Sequence, residues 1–302
     1  MTASRAARAL VAVALAVLGT ACMQNETKTT ILADGSGTCT DTITIDIGKT
    51  RQLLETAKMF GVGGPGGPGG PGAPQLPEDL DVEKMLEGSF GEATLKAELA
   101  ATPGVSVKSV SSEVKNGKRV AKREFAFSGF DALGRAAFRT MTAELRKNDD
   151  GSWTLDMDAM GPMRGMLGGG ANGAQGGFGG FDAGAMMGMM ADLLGDFGSK
   201  ATFTFPGTVT ETNGTKGEDG KSVTWSFSVE DLKKASSDPT KAPGRMTATF
   251  KGEGLMLKPF KYSPSLGELM KQNAPKPAAP STPTEPAKPA EPVKPTEPAP
   301  TK

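Results

Sequence analysis

The chain has 302 residues, with 34 basic and 34 acidic side chains, two cysteines and no histidine. Balanced charge without a basic stripe lacks the electrostatic footprint of a nucleic-acid binder, so no nucleic acid is expected among its partners. The missing histidine removes the usual general base and the commonest metal ligand. Serine-histidine triads, histidine-zinc sites and most two-metal hydrolase centres go with it, no carboxylate, lysine or tyrosine pair stands out in their place, and neither an enzyme nor a cofactor is expected.

Residues 1–21 read as a signal peptide: Arg5 and Arg8, an apolar run from Ala9 to Leu18, then Gly19-Thr20-Ala21 before Cys22. Small residues set directly against a cysteine look like a lipobox, with Leu18 one position earlier than that pattern favours, so Cys22 is the expected site of lipidation. The apolar run is far shorter than the ~20 residues a spanning helix needs. The expected location is extracytoplasmic, held to a bacterial membrane through the N-terminal lipid, with residues 22–27 as a tether. If Cys22 carries lipid, Cys39 has no disulfide partner; it shares parity with Ile43, Ile45 and Ile47 and reads as a small buried residue.

A single α+β domain is expected over residues 28–270, interrupted by low-complexity insertions at 61–76 and 160–198. Thr38 to Ile47 alternates apolar and polar after an Asp34-Gly35-Ser36-Gly37 turn. Leu53, Leu54, Ala57 and Phe60 stand at helical spacing, as do Val82, Met85 and Leu86, then Leu95 and Leu99. Val105–Val114 and Lys118–Phe127 flank Asn116-Gly117, a strong hairpin signal. Leu133, Ala137, Met141 and Leu145 predict a further helix, with Asp131 as its N-cap. Trp153, Leu155 and Met157 alternate, as do Phe203, Phe205 and Val209, then Val223, Trp225, Phe227 and Val229; Met246, Ala248 and Phe250 predict the last strand. Paired strands point to a mostly antiparallel sheet with helices packed on one face.

The stretch Thr202-Phe-Thr-Phe-Pro-Gly-Thr-Val-Thr-Glu-Thr-Asn-Gly214, followed by Ser222-Val-Thr-Trp-Ser-Phe227, resembles the hairpin of the LppM-type domain of bacterial lipoproteins. A Phe-Pro-Gly turn, an Asn-Gly turn and a Val-x-Trp strand recur there in this order, after an early hairpin that covers residues 28–47 here. The resemblance implies a lipid-anchored extracytoplasmic α+β domain, for which glycolipid or phospholipid binding has been proposed in some members. This chain departs from the pattern in its insertions and in ending on a proline-rich tail instead of a transmembrane helix.

Two segments could carry an activity of their own. Met186, Met189, Met190, Leu193, Leu194 and Phe197 fit one helical face, which would form a lid or groove wall, pack into the core, or stay disordered among its glycines. Met186, Met187, Met189 and Met190 are soft thioethers suited to Cu(I), although clustered methionines are more often an adaptable apolar surface, and no metal is assigned. Residues 271–302 form a Pro-rich tail with a proline at every third position from Pro277 to Pro298, a pattern of extended polyproline II that is expected to be disordered.

The leading functional expectation is a binding module for an amphipathic or lipid-like ligand. A structural cell-envelope protein that contacts a cell-wall component through its tail is the alternative, and a Met-rich copper binder the weaker one. Deleting the tail separates the first two.

Overall fold

In a computed structural model, residues 23–59, 81–138, 141–159, 197–231 and 244–263 are described. They form twelve strands in two sheets, together with four helices. The first strand, β1 (Met23–Ile31), turns back into β2 (Gly37–Asp46). At that turn Gly35 has φ 85° and the Asp34 carboxylate accepts the Ser36 amide at 3.0 Å. Helix α1 (Ile47–Met59) follows directly, its first turn capped by Asp46, whose Oδ1 accepts the Lys49 amide at 2.9 Å. Helices α2 (Val82–Phe90) and α3 (Glu92–Ala100) come next, and Asp81 caps the former through the amides of Glu83 and Lys84. Strands β3 (Val105–Lys115) and β4 (Lys118–Phe127) join through Asn116 at φ 52° and Gly117 at φ 71°, the left-handed pair that a two-residue hairpin of matching twist requires.

Helix α4 (Phe130–Ala137) leads to β5 (Thr142–Lys147) and β6 (Trp153–Asp158). After the second insertion come β7 (Gly198–Thr204), β8 (Val209–Thr212), β9 (Thr215–Lys216) and β10 (Ser222–Ser228). Strands β11 (Arg245–Phe250) and β12 (Phe260–Tyr262) complete the described elements. The first sheet has the order β3-β4-β2-β1-β7-β10-β9 and the second β12-β5-β6-β11-β8. All neighbours are antiparallel apart from β1 and β7, which run parallel from Gln24↔Gly198 to Thr30↔Thr204.

The α+β class is as expected, with the strands divided between two sheets that bury apolar faces against each other. Cys39, Phe125, Phe127, Phe203, Val223 and Trp225 of the first sheet join Leu145, Trp153, Leu155, Met157 and Phe250 of the second in one cluster, closed by Leu133 and Phe138. Helices α1 and α2 lie farther along that same face of the first sheet. Ile43, Ile45, Leu54, Val82 and Leu86 make a second cluster there. The opposite face carries Thr38, Thr40, Thr42 and Thr44 of β2, all half-exposed.

Four expectations need correction. Met23 to Thr27, read as tether, are the first half of β1, hydrogen-bonded on both sides by β2 and β7. The stripe from Leu133 to Leu145 is not one helix: α4 stops at Ala137, and Leu145 sits in β5 opposite Leu155 and Phe260. A spacing of four fits a helical period and also keeps strand parity, so Leu133 and Leu145 could satisfy either, and the tertiary partners of Ala143 and Leu145 decide. Asp131 does not cap α4 but lies in its first turn, paired with Arg135 at 2.6 Å. The last strand is β12 and not Met246–Phe250; it reaches α4 because Gly134 has no Cβ, which would stand 2.8 Å from the Phe260 ring. Phe60 lies outside the described residues.

Candidate functional site

Strand parity carries a row of polar side chains across the covered face of the first sheet, between its two apolar clusters. Thr27, Asp41 and Arg123 stand in register on β1, β2 and β4. The Arg123 guanidinium donates through Nε (3.1 Å) and Nη2 to Asp41 Oδ2, while Thr27 Oγ1 donates to Asp41 Oδ1 at 2.9 Å. Their side chains are only 10% and 4% exposed, so both charges have lost most of their water. Such a pair needs its full set of hydrogen bonds to offset desolvation and is weak evidence for stability. Burying unlike charges where apolar residues would pack is therefore a feature that folding alone does not require.

Arg119 lies four residues back along β4 on the same face. Its Nη1 donates to Glu87 Oε2 of α2 at 2.6 Å and to Ser112 Oγ of β3 at 3.0 Å. The partners differ sharply in exposure, 6% for the arginine side chain against 62% for the glutamate. Arg119 Nε is buried with no acceptor, and Asn25 Oδ1 on β1 is likewise buried with no donor. A buried guanidinium with an unused donor and one solvent-facing carboxylate partner can exchange that carboxylate for another anion. The boundary between α2 and the sheet thus holds a buried ion pair with one unused donor, beside the packed side chains of Ile43, Ile45 and Leu86.

Cys39 continues the row on β2, where Thr29 Oγ1 donates to its Sγ at 3.6 Å. Burial pushes the thiol up to about 12, which keeps it neutral and unreactive. No group of three or more metal-ligating side chains occurs among the described residues.

Of the residues singled out from sequence, Cys22, Met186, Met187, Met189, Met190, Leu193 and Leu194 lie outside the described residues. Phe197 is described: half-buried immediately before β7, it meets Phe227 edge-on at 5.8 Å. Asp41, Arg119 and Arg123 were missed. Their signal is a charge at inward parity between buried neighbours, as in Cys39-x-Asp41-x-Ile43 and Arg119-x-Ala121-x-Arg123-x-Phe125.

The recurring turn motifs have structural work. A Cβ on Gly207 would stand 2.0 Å from the Lys251 carbonyl oxygen, so the Phe-Pro-Gly turn brings the β7–β8 connection flush against the end of β11. Asn213 of the Asn-Gly turn accepts from Trp225 Nε1 and from the Thr247 amide, each at 2.8 Å, and donates to the Arg245 carbonyl at 2.8 Å. One amide side chain thus ties β10 of the first sheet to β11 of the second.

These features define an α+β domain of two interleaved sheets whose distinguishing chemistry is a buried guanidinium row. No protein-family model and no curated protein matches the chain. Among solved structures it is similar to the folded domain of LppM from Mycobacterium tuberculosis, determined by NMR, with TM-score 0.35 and 14% identity over 76% of this chain and 90% of that one. This is the domain type that the Phe-Pro-Gly, Asn-Gly and Val-x-Trp features resemble, and no residue role is carried across from it. No helix among the described residues is long and apolar enough to cross a membrane.

Proposed function

We propose that this chain is a lipid-anchored, extracytoplasmic binding module, not an enzyme, that takes an amphipathic ligand between α1, α2 and the first sheet. The observation that carries this reading is Arg119: a buried guanidinium with an unfilled Nε donor, facing an exposed carboxylate, next to an apolar wall. An anionic headgroup would displace Glu87 and take the open donor, and acyl carbon would reach Ile43, Ile45 and Leu86, buried in the unliganded domain, as α1 and α2 part from the sheet. The cost of burying the guanidinium is offset when a second anion completes its hydrogen bonds.

The test is mass spectrometry of lipid extracted from the purified mature chain. The native chain is expected to carry a stoichiometric acidic lipid, and Arg119→Gln to carry about tenfold less, in line with loss of one charge-assisted bond. Absence of lipid from the native chain, or equal amounts in both, would overturn the proposal.

A further inference from the structure

The register of the first sheet fixes what lies beside the anchor. Met23 is already paired with Ile45, which is paired with Arg119, which faces Val114. Cys22 is one peptide step of about 3.8 Å beyond Met23. The next row along β2, β4 and β3 is Asp46, Lys118 and Lys115. With strands about 4.8 Å apart, the β3–β4 tip stands roughly 10 to 14 Å to the side of the anchored strand and at its level along the strands. No slack separates the two, because β1 is hydrogen-bonded to both neighbours from its first residues.

The composition of that tip is unusual for a hairpin end. Lys115 and Lys118 are directly opposed, which costs stability through repulsion, and neither has a carboxylate partner among the described residues. Lys122 is exposed on the same face of β4. On the other face, opposed to Arg119, Val114 is 51% exposed, one of three large apolar side chains open to solvent among the described residues. Asp46 is engaged with the Lys49 amide, and Glu113 is the acidic residue that remains exposed at the tip. A hairpin end with unpaired lysines on one face and an exposed valine on the other suits the interface of a bilayer with anionic headgroups when it enters end-on, where each lysine gains attraction and the apolar side chain leaves water.

We infer that the Val114–Lys118 hairpin tip is a second membrane contact, docking on anionic phospholipid headgroups beside the acylated cysteine and so fixing which end of the domain faces the bilayer. This rests on the reading of Cys22 as the anchor. Two attachments at one end of a sheet resist tilting in a way that a single lipid does not, and Arg119 lies one row farther from the membrane.

The test separates the two readings. The mature chain with Cys22→Ser, which has no lipid, is mixed with vesicles of phosphatidylcholine alone or containing about a third phosphatidylglycerol. It is expected to sediment with the anionic vesicles only, and Lys115→Gln with Lys118→Gln to lower that partitioning about tenfold. Relief of the opposed charges leaves this variant at least as stable, so lost binding cannot be ascribed to unfolding. Equal binding to both vesicle types, or unchanged binding by the variant, overturns the inference. In the acylated chain, a spin label at Glu113→Cys is expected to be shielded from an aqueous relaxation agent and one at Leu32→Cys, at the far end of β1, to be exposed; equal exposure also overturns it. The acyl group on Cys22 is read separately by mass spectrometry, so its absence would sink the anchor and leave the vesicle result standing.

Discussion

Asp41 and Arg123 occupy positions that strand alternation reserves for apolar side chains, with Cys39 and Ile43 on either side of the aspartate. Removing one partner strands the other charge in a site with almost no water. Asp41→Ala is therefore expected to destabilise the domain by about 3 to 5 kcal/mol, whereas Asp41→Leu combined with Arg123→Met should recover most of that loss. Urea midpoints of the two variants check this, and equal losses would mean that the hydrogen bond from Thr27 outweighs the ion pair. Neither residue was legible as a site from sequence, since a single charge in a strand is usually a solvated one. Parity with Cys39 and Ile43 turns Asp41 inward, but only the register shows that Arg123 and Thr27 stand beside it there. By contrast Cys39 was legible, because its parity with three isoleucines needed no knowledge of the partner strand.

At the scale of elements, legibility followed how local the determining contacts are. The Asn116-Gly117 hairpin and helices α2 and α3 are set by residues within a few positions, and their sequences read correctly. Strands β1, β5 and β12 each take one partner far along the chain, β7 for the first and each other for the last two. The segment Met23-Gln-Asn-Glu-Thr27 has hardly any apolar residue and reads as a tether, yet it becomes central because β2 and β7 supply ladders on both edges. A central strand is held by backbone hydrogen bonds that composition does not advertise. If Met23 to Thr27 are structural, deleting them should abolish the cooperative transition followed by circular dichroism. Adding five polar residues between Cys22 and Met23 should leave that transition in place and weaken only the coupling between anchor and domain. Survival of the deletion with an unchanged midpoint would restore the tether reading.

At the scale of the whole molecule, the chain passes from β6 in the second sheet to β7 in the first, back to β8, over to β9 and β10, and back again to β11. Neither sheet can be assembled from a continuous stretch, and the crossings are sealed by aromatic contacts. Phe205, just after β7, stacks on Phe250 of β11 with ring centroids 4.7 Å apart and on Phe203 of β7 at 6.2 Å, so one ring joins the two sheets. Interleaving of this kind couples the sheets through shared burial, so neither has a stable form without the other. The two tryptophans of the chain fall one in each sheet, Trp153 on β6 and Trp225 on β10, and both are buried. Trp153→Phe leaves only Trp225 to report, and Trp225→Phe only Trp153. The first substitution removes a buried Nε1 that has no acceptor, and the second leaves Asn213 its bond from the Thr247 amide. Each should shift stability by no more than about 1 to 2 kcal/mol. After correction for that shift by circular dichroism on each variant, fluorescence from either sheet should give one common urea midpoint. Two separated midpoints would show that the sheets unfold independently, and the aromatic seam would then be a contact between two units instead of the centre of one.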